Sequence, residues 1–178
     1  MKIHARERGV SLIEFALVLP IMLLLMLAVF DYGRAIQANN IIINMSREGG
    51  NLVARTSATP QFVMAALAST SSPLVMSTYG GIVITRLTAN ADDSSQASVV
   101  AQSRWIGGRA VVSHIWNGCG TWISGECKVP TTPPVVTLPV LMLKQGDEVY
   151  AVEVFYRYDP VFSFAMPTEA NLYSLTLL

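Results

Sequence analysis

The sequence predicts an α+β chain in which one long N-terminal helix spans a membrane and packs its outer half on a small antiparallel β-sheet domain. Three observations predict it. An apolar run near the N-terminus has the length of a bilayer crossing, helical periodicity continues past its end, and the second half of the chain alternates apolar and polar residues.

The apolar run sets the first element. From Phe15 to Phe30 the chain reads FALVLPIMLLLMLAVF without a charge, and extending it back to Val10 adds only Ser11 and Glu14 as polar interruptions. At about 1.5 Å per residue, a helix over that stretch covers roughly 30 Å, the thickness of a bilayer's hydrocarbon. Lipid offers no partner to backbone N–H and C=O groups, so the run must be helical. Pro20 removes one helical hydrogen bond and predicts a kink. The flank MKIHARERG sets Lys2, Arg6 and Arg8 against Glu7 alone, which keeps the N-terminus cytoplasmic and sends residues after Phe30 to the periplasm or beyond.

The extension follows. In DYGRAIQANNIIINMSREGGNLVAR, the residues Tyr32, Ala35, Ile36, Ile42, Ile43 and Met45 form a partial stripe, with Asn39, Asn40 and Asn44 as a solvated face. Gly49-Gly50 weakens this helix, and Thr56 to Pro60 ends it. A short helix over Pro60–Ala68, capped by Thr59, comes next. The strands are GIVITRLTA, then SVVAQSRWI, then VYAVEVFYRYDPVF, forming an antiparallel sheet with the helix on one face. Between the last two lies an irregular region rich in Gly and Pro, from Gly107 to Pro139.

Composition narrows the function classes. Twelve basic and twelve acidic side chains give a formal net charge of zero, so no imbalance points to nucleic acid. Nucleophilic catalysis needs a base beside the nucleophile, and His114 is the one histidine outside the basic flank, in the apolar context VVSHIW. No phosphate loop, dinucleotide fingerprint or HExxH pattern is present, so no catalytic residue, metal or cofactor is assigned. Asp92-Asp93 reads as a solvated turn rather than a calcium site, and Asp147-Glu148 as a turn after Gly146.

Cys119 and Cys127, the two cysteines, fall on the oxidising side, where a disulfide is allowed; two unpaired thiols are the alternative. A bond between them closes a short segment and contributes about 2–3 kcal/mol in the chain-entropy model. Trp116 and Trp122 flank it, and with Trp105 they belong either to packing or to a contact surface.

The N-terminus is not an ordinary secretory signal. The apolar run is too long, and Ala28 is followed by Val29, Phe30, Asp31 and Tyr32 rather than by a small-residue cleavage site. The better site lies ahead of the run, where Gly9 ends the basic segment and Val10-Ser11-Leu12-Ile13-Glu14-Phe15 follows. This arrangement resembles the class III signal of type IV pilins and pseudopilins, and the Glu14-Phe15 pair resembles the tight-adherence (Flp) branch. Within that branch, RERGVSLIEFALVLPIMLLLMLAVFDYGRAI resembles the TadE-like minor pilins or pseudopilins, with a weaker likeness over GDEVYAVEVFYRYDPV.

The resemblance implies a pilin-like fold and cleavage by a prepilin peptidase between Gly9 and Val10. It divides the chain into a leader (1–9), an anchor with its helical extension (10–55) and an extracytoplasmic domain (56–178). Glu14 then becomes the fifth residue of the mature chain, and Glu14 and Phe15 serve subunit assembly. The implied partners are the prepilin peptidase, the major Flp pilin, sister minor pilins and the inner-membrane platform with its ATPase, in an inner-membrane protein that can reach the cell surface within a pilus. Physical chemistry runs parallel. A carboxylate near the start of a membrane helix costs a few kcal/mol unless paired, and the new amine of Val10, its own or a neighbour's, is a suitable partner. An uncleaved, single-pass binding or adhesion module is the rival expectation.

Overall fold

The structure is a computed structural model that describes residues 7–90, 95–138, 143–162 and 170–178. These fall into two compact units, one drawn from residues 1–37 and 159–169, the other from 38–158 and 170–178. Helix α1 (Glu7–Arg55) runs through Pro20 without a break and ends where expected, with Thr56 N–H and Oγ1–H both donating to Leu52 O at 3.0 and 2.8 Å.

In the larger unit, α1 is followed by α2 (Pro60–Ser69) and the single-turn α3 (Met76–Tyr79). Thr59 caps α2 as its sequence predicts, its hydroxyl accepting from Phe62 N at 3.3 Å with Pro60 in the first turn. The strands are β1 (Gly80–Ala89), β2 (Gln96–Arg104), β3 (Trp122–Ile123), β4 (Glu126–Cys127), β5 (Val135–Thr137), β6 (Glu148–Tyr158) and β7 (Ala170–Leu177). They form one antiparallel sheet in the order β3-β4-β2-β1-β6-β7, with β5 pairing the other end of β2's outer edge. The three long strands are those expected. Strand β7 and the short β3, β4 and β5 were not, so the Gly- and Pro-rich region carries sheet structure within it.

Register sorts the side chains by face, because successive residues of a strand point to opposite sides. Ile84 pairs with Val152, and Val152 with Thr176, so all three share one face. Against that face α1 turns Ala38, Ile42, Met45, Ser46, Gly49, Gly50 and Val53, all buried, each with another of the set three or four residues away. The expected stripe is thereby corrected. Tyr32 and Ile36 are 54% and 61% exposed, while a serine and two glycines sit in the packed seam.

The glycines there are close-approach residues rather than helix breakers. A Cβ on Gly49 would stand 2.9 Å from Leu67 Cδ1 and 3.0 Å from Val152 Cγ1, and one on Gly50 would stand 3.4 Å from Thr176 Cγ2. One turn earlier, Ser46 Oγ lies 2.8 Å from Ser174 Oγ and 3.0 Å from Thr176 Oγ1, joining α1 to β7 by hydroxyls.

The sheet's other face is not open. Leu87, Ala97, Val99, Leu138, Val149 and Ala151 form a buried cluster, against which Ile115, Trp116, Val129 and Val136 of the irregular region pack. A Cβ on Gly81 would meet Val111 Cγ1 at 2.5 Å, so the cover lies directly on the strand. The sheet is therefore covered by helices on one side and by the irregular region on the other.

Candidate functional site

The first surface that packing leaves unexplained is the N-terminal part of α1. Every residue from Leu12 to Met26 is exposed, among them Phe15 at 63%, and Val29 and Phe30 are exposed as well. A soluble protein does not leave a helix apolar on all sides and bare, because each such side chain forgoes about 1.5–3 kcal/mol of burial. Among the described residues this is the one helix long and apolar enough to cross a membrane, which supports a single-pass anchor. Gly9 and Val10 lie in its first turns, and Glu14 follows Val10 by one turn and is exposed.

The run ends at Asp31, which is fully buried. Its carboxylate accepts from Val161 N–H at Oδ1 (3.1 Å) and from Phe162 N–H at Oδ2 (2.7 Å), fastening the segment after β6 to the helix. Arg34 places its guanidinium carbon 6.0 Å from the centre of the Phe30 ring, so a cation stands at the end of the apolar run.

A second buried carboxylate belongs to the larger unit. Glu153 has no exposure and accepts from the Ser113 hydroxyl, from His114 N–H at 2.7 Å and from Tyr173 O–H at 3.0 Å. The Ser113 hydroxyl in turn accepts from Ile115 N–H at 3.1 Å and Trp116 N–H at 3.2 Å, so this group pins the irregular cover to β6 and β7. Burial, with the Glu153 charge and hydrogen bond adding to it, pushes the Tyr173 phenol well above its ordinary range. The exposed His114 ring stacks on Tyr173 at 4.4 Å and meets Phe155 edge-on at 5.3 Å, so it is tied up in aromatic contact.

The cysteines meet as anticipated. Cys119 and Cys127 stand at disulfide distance, with Cα atoms 5.9 Å apart, at the β3–β4 hairpin. Trp122 in that hairpin lies under the Arg104 guanidinium at 4.5 Å, and Trp105, Trp116 and Trp122 are all half-buried. Asp147 is a turn residue accepting from Lys144 N–H at 3.0 Å, and Glu148 makes an exposed ion pair with Arg86 at 3.7 Å. Asp92 and Asp93 lie outside the described residues. Among the described residues, no three His, Cys, Asp or Glu side chains gather as metal ligands would.

One cavity of about 330 Å³ opens where α1 turns into α2, lined by Val53, Pro60, Ile84, Tyr150, Arg86 and Glu126 among others. Glu126 is engaged there by the Ser103 hydroxyl at 2.6 Å.

The buried carboxylates are what sequence reasoning missed. The signal for Glu153 was an acid set between two valines in the last strand run, and for Asp31 an acid directly abutting the membrane run. No curated protein and no solved structure matches the chain. Residues 9–51, which begin at the expected processing site and take in Glu14, Phe15 and the whole exposed apolar run, match the family model of TadE-like proteins, and over this segment the chain is similar to that family.

Proposed function

We propose that this chain is a minor pilin or pseudopilin that assists assembly, initiation or tip formation of a tight-adherence (Flp) pilus. The observation that carries the reading is the family match over residues 9–51, in register with a helix bare of packing and with Glu14 one turn after Val10. In this reading a prepilin peptidase cuts after Gly9, which removes a flank of formal charge +2 and frees the amine of Val10. That amine neutralises Glu14, within the chain or on a neighbour, and so lowers the cost of holding a carboxylate in lipid.

The anchor then resides in the inner membrane, N-terminus inward, with residues from Thr56 onward on the outer side. From there the subunit meets the major pilin, sister minor pilins and the assembly platform. The role is structural, and the buried Glu153 group supports it by being saturated with donors rather than poised on a cleft.

The test is the N-terminal sequence of the membrane-extracted protein, by mass spectrometry, from cells with and without a prepilin peptidase. A peptidase-dependent start at Val10 is expected. A retained Met1 in both strains would overturn the reading and leave an uncleaved anchored binding module.

A further inference from the structure

The fastening at Asp31 joins two facts that the anchor by itself does not explain. Asp31 directly follows the apolar run, yet it is fully buried; Val161, whose N–H it binds, is 55% exposed although apolar. One hydrogen bond and one short side chain separate the Val161 backbone from the α1 axis at residue 31. Val161 therefore lies within about one helical turn, ~5 Å, of the level at which the apolar run ends.

We infer that the segment Asp159–Phe162, held by Asp31, is a second membrane-contact element that rests in the lipid headgroup layer and sets how deeply the anchor is inserted. This rests on the reading of Leu12–Phe30 as a membrane span. The hydrocarbon of a bilayer is about 30 Å thick and the whole about 40–45 Å, which leaves roughly 5–7 Å of headgroup region on each side. Val161 falls within that layer. So do Phe30 at 57% and Tyr32 at 54% exposure, and aromatic rings at this depth hold a helix against sliding.

The chemistry of Asp31 suits the position. A carboxylate at the hydrocarbon boundary is tolerated when its lone pairs are occupied, and two backbone N–H groups occupy them here. The same bonds relieve two backbone donors that would otherwise be desolvated as the segment enters the headgroups. An apolar side chain is thereby offered to lipid on a backbone that exposes little polarity. A helix alone has one contact with the bilayer surface at this level; a helix with a fastened lip has two, and resists both tilting and withdrawal.

The test uses the full-length protein in phosphatidylcholine and phosphatidylglycerol vesicles, singly labelled with an environment-sensitive fluorophore at Val161→Cys or, separately, at Leu23→Cys. Lipids carrying spin labels at the headgroup or deep in the acyl chain report depth. Expected are several-fold stronger quenching of the Val161 label by the shallow than by the deep spin label, and the opposite order for Leu23. Asp31→Ala should abolish quenching at Val161 while leaving Leu23 unchanged. Quenching at Leu23 with none at Val161 overturns the proposal and leaves the anchor standing, whether the Val161 label faces water or is shielded by another protein. Loss of quenching at Leu23 overturns the anchor itself. Quenching at Val161 that survives Asp31→Ala overturns the role given to that carboxylate.

Discussion

Glu153 occupies a position where strand β6 otherwise shows Val149, Ala151 and Phe155 to the irregular cover. An unpaired carboxylate there would be prohibitive, and three donors make it tolerable. Removing it strands those donors in a dry site. Glu153→Ala should lower stability by about 2–4 kcal/mol in denaturant unfolding of the detergent-solubilised protein. Tyr173 adds a pH signature. Its folded-state pKa is raised above the ordinary 10.0, so the folded chain keeps a proton that the unfolded chain loses as pH passes 10. Stability should be fully present below that value and fall above it, and Tyr173→Phe should flatten the fall in thermal melts taken across alkaline pH. Neither group was legible beforehand, because their partners come from segments 20 to 40 residues away whose approach depends on the finished sheet. The cysteine pair was legible because the two residues lie close along one segment.

At the scale of elements, α1 shows why a helix carries glycines where it packs most closely. Gly49→Ala gains about 1 kcal/mol of helix propensity but drives a Cβ against the β-branched Val152 side chain at 3.0 Å, and overpacking costs about 1–3 kcal/mol. A lower melting temperature is expected. Gly33→Ala meets nothing within 4 Å and should raise it, so the pair of variants separates propensity from packing. The same seam explains the stripe that periodicity misplaced, since a count of apolar residues cannot register Ser46, Gly49 and Gly50 as a packed face. The long strands and α2 followed from alternation and from the Thr59-Pro60 start. Strand β7 escaped because it is an edge strand, half-buried along most of its length without clean alternation, and β3 to β5 because two or three residues hold no period.

For the whole chain, one apolar run and the alternation after it announced a long apolar helix followed by an antiparallel sheet, and the structure has both. The cover on the sheet's second face was not legible, because it is built from irregular backbone held by Glu153, the small buried cluster and the hairpin bearing Cys119 and Cys127. If those thiols are joined, reduction should lower stability by about 2–3 kcal/mol, while far-UV circular dichroism at room temperature holds, since the long strands owe nothing to the bond. Comparing thermal melts with and without reductant checks this; an unchanged midpoint would mean the pair carries no such constraint.

The hydroxyl seam between Ser46 and Ser174 has a consequence in time. Its partners are 128 residues apart, so it closes only when the last strand has been made. Until then the Ser46 and Gly50 positions of α1 lack the β7 side chains, Ser174 and Thr176, that cover them in the finished fold. The same helix face carries Ile42, Met45 and Val53, so apolar groups that the finished fold buries stay open for as long as the sheet is incomplete. Synthesis from the N-terminus thus leaves the edge of β6 unpaired and the chain open to association until its own C-terminal strand arrives.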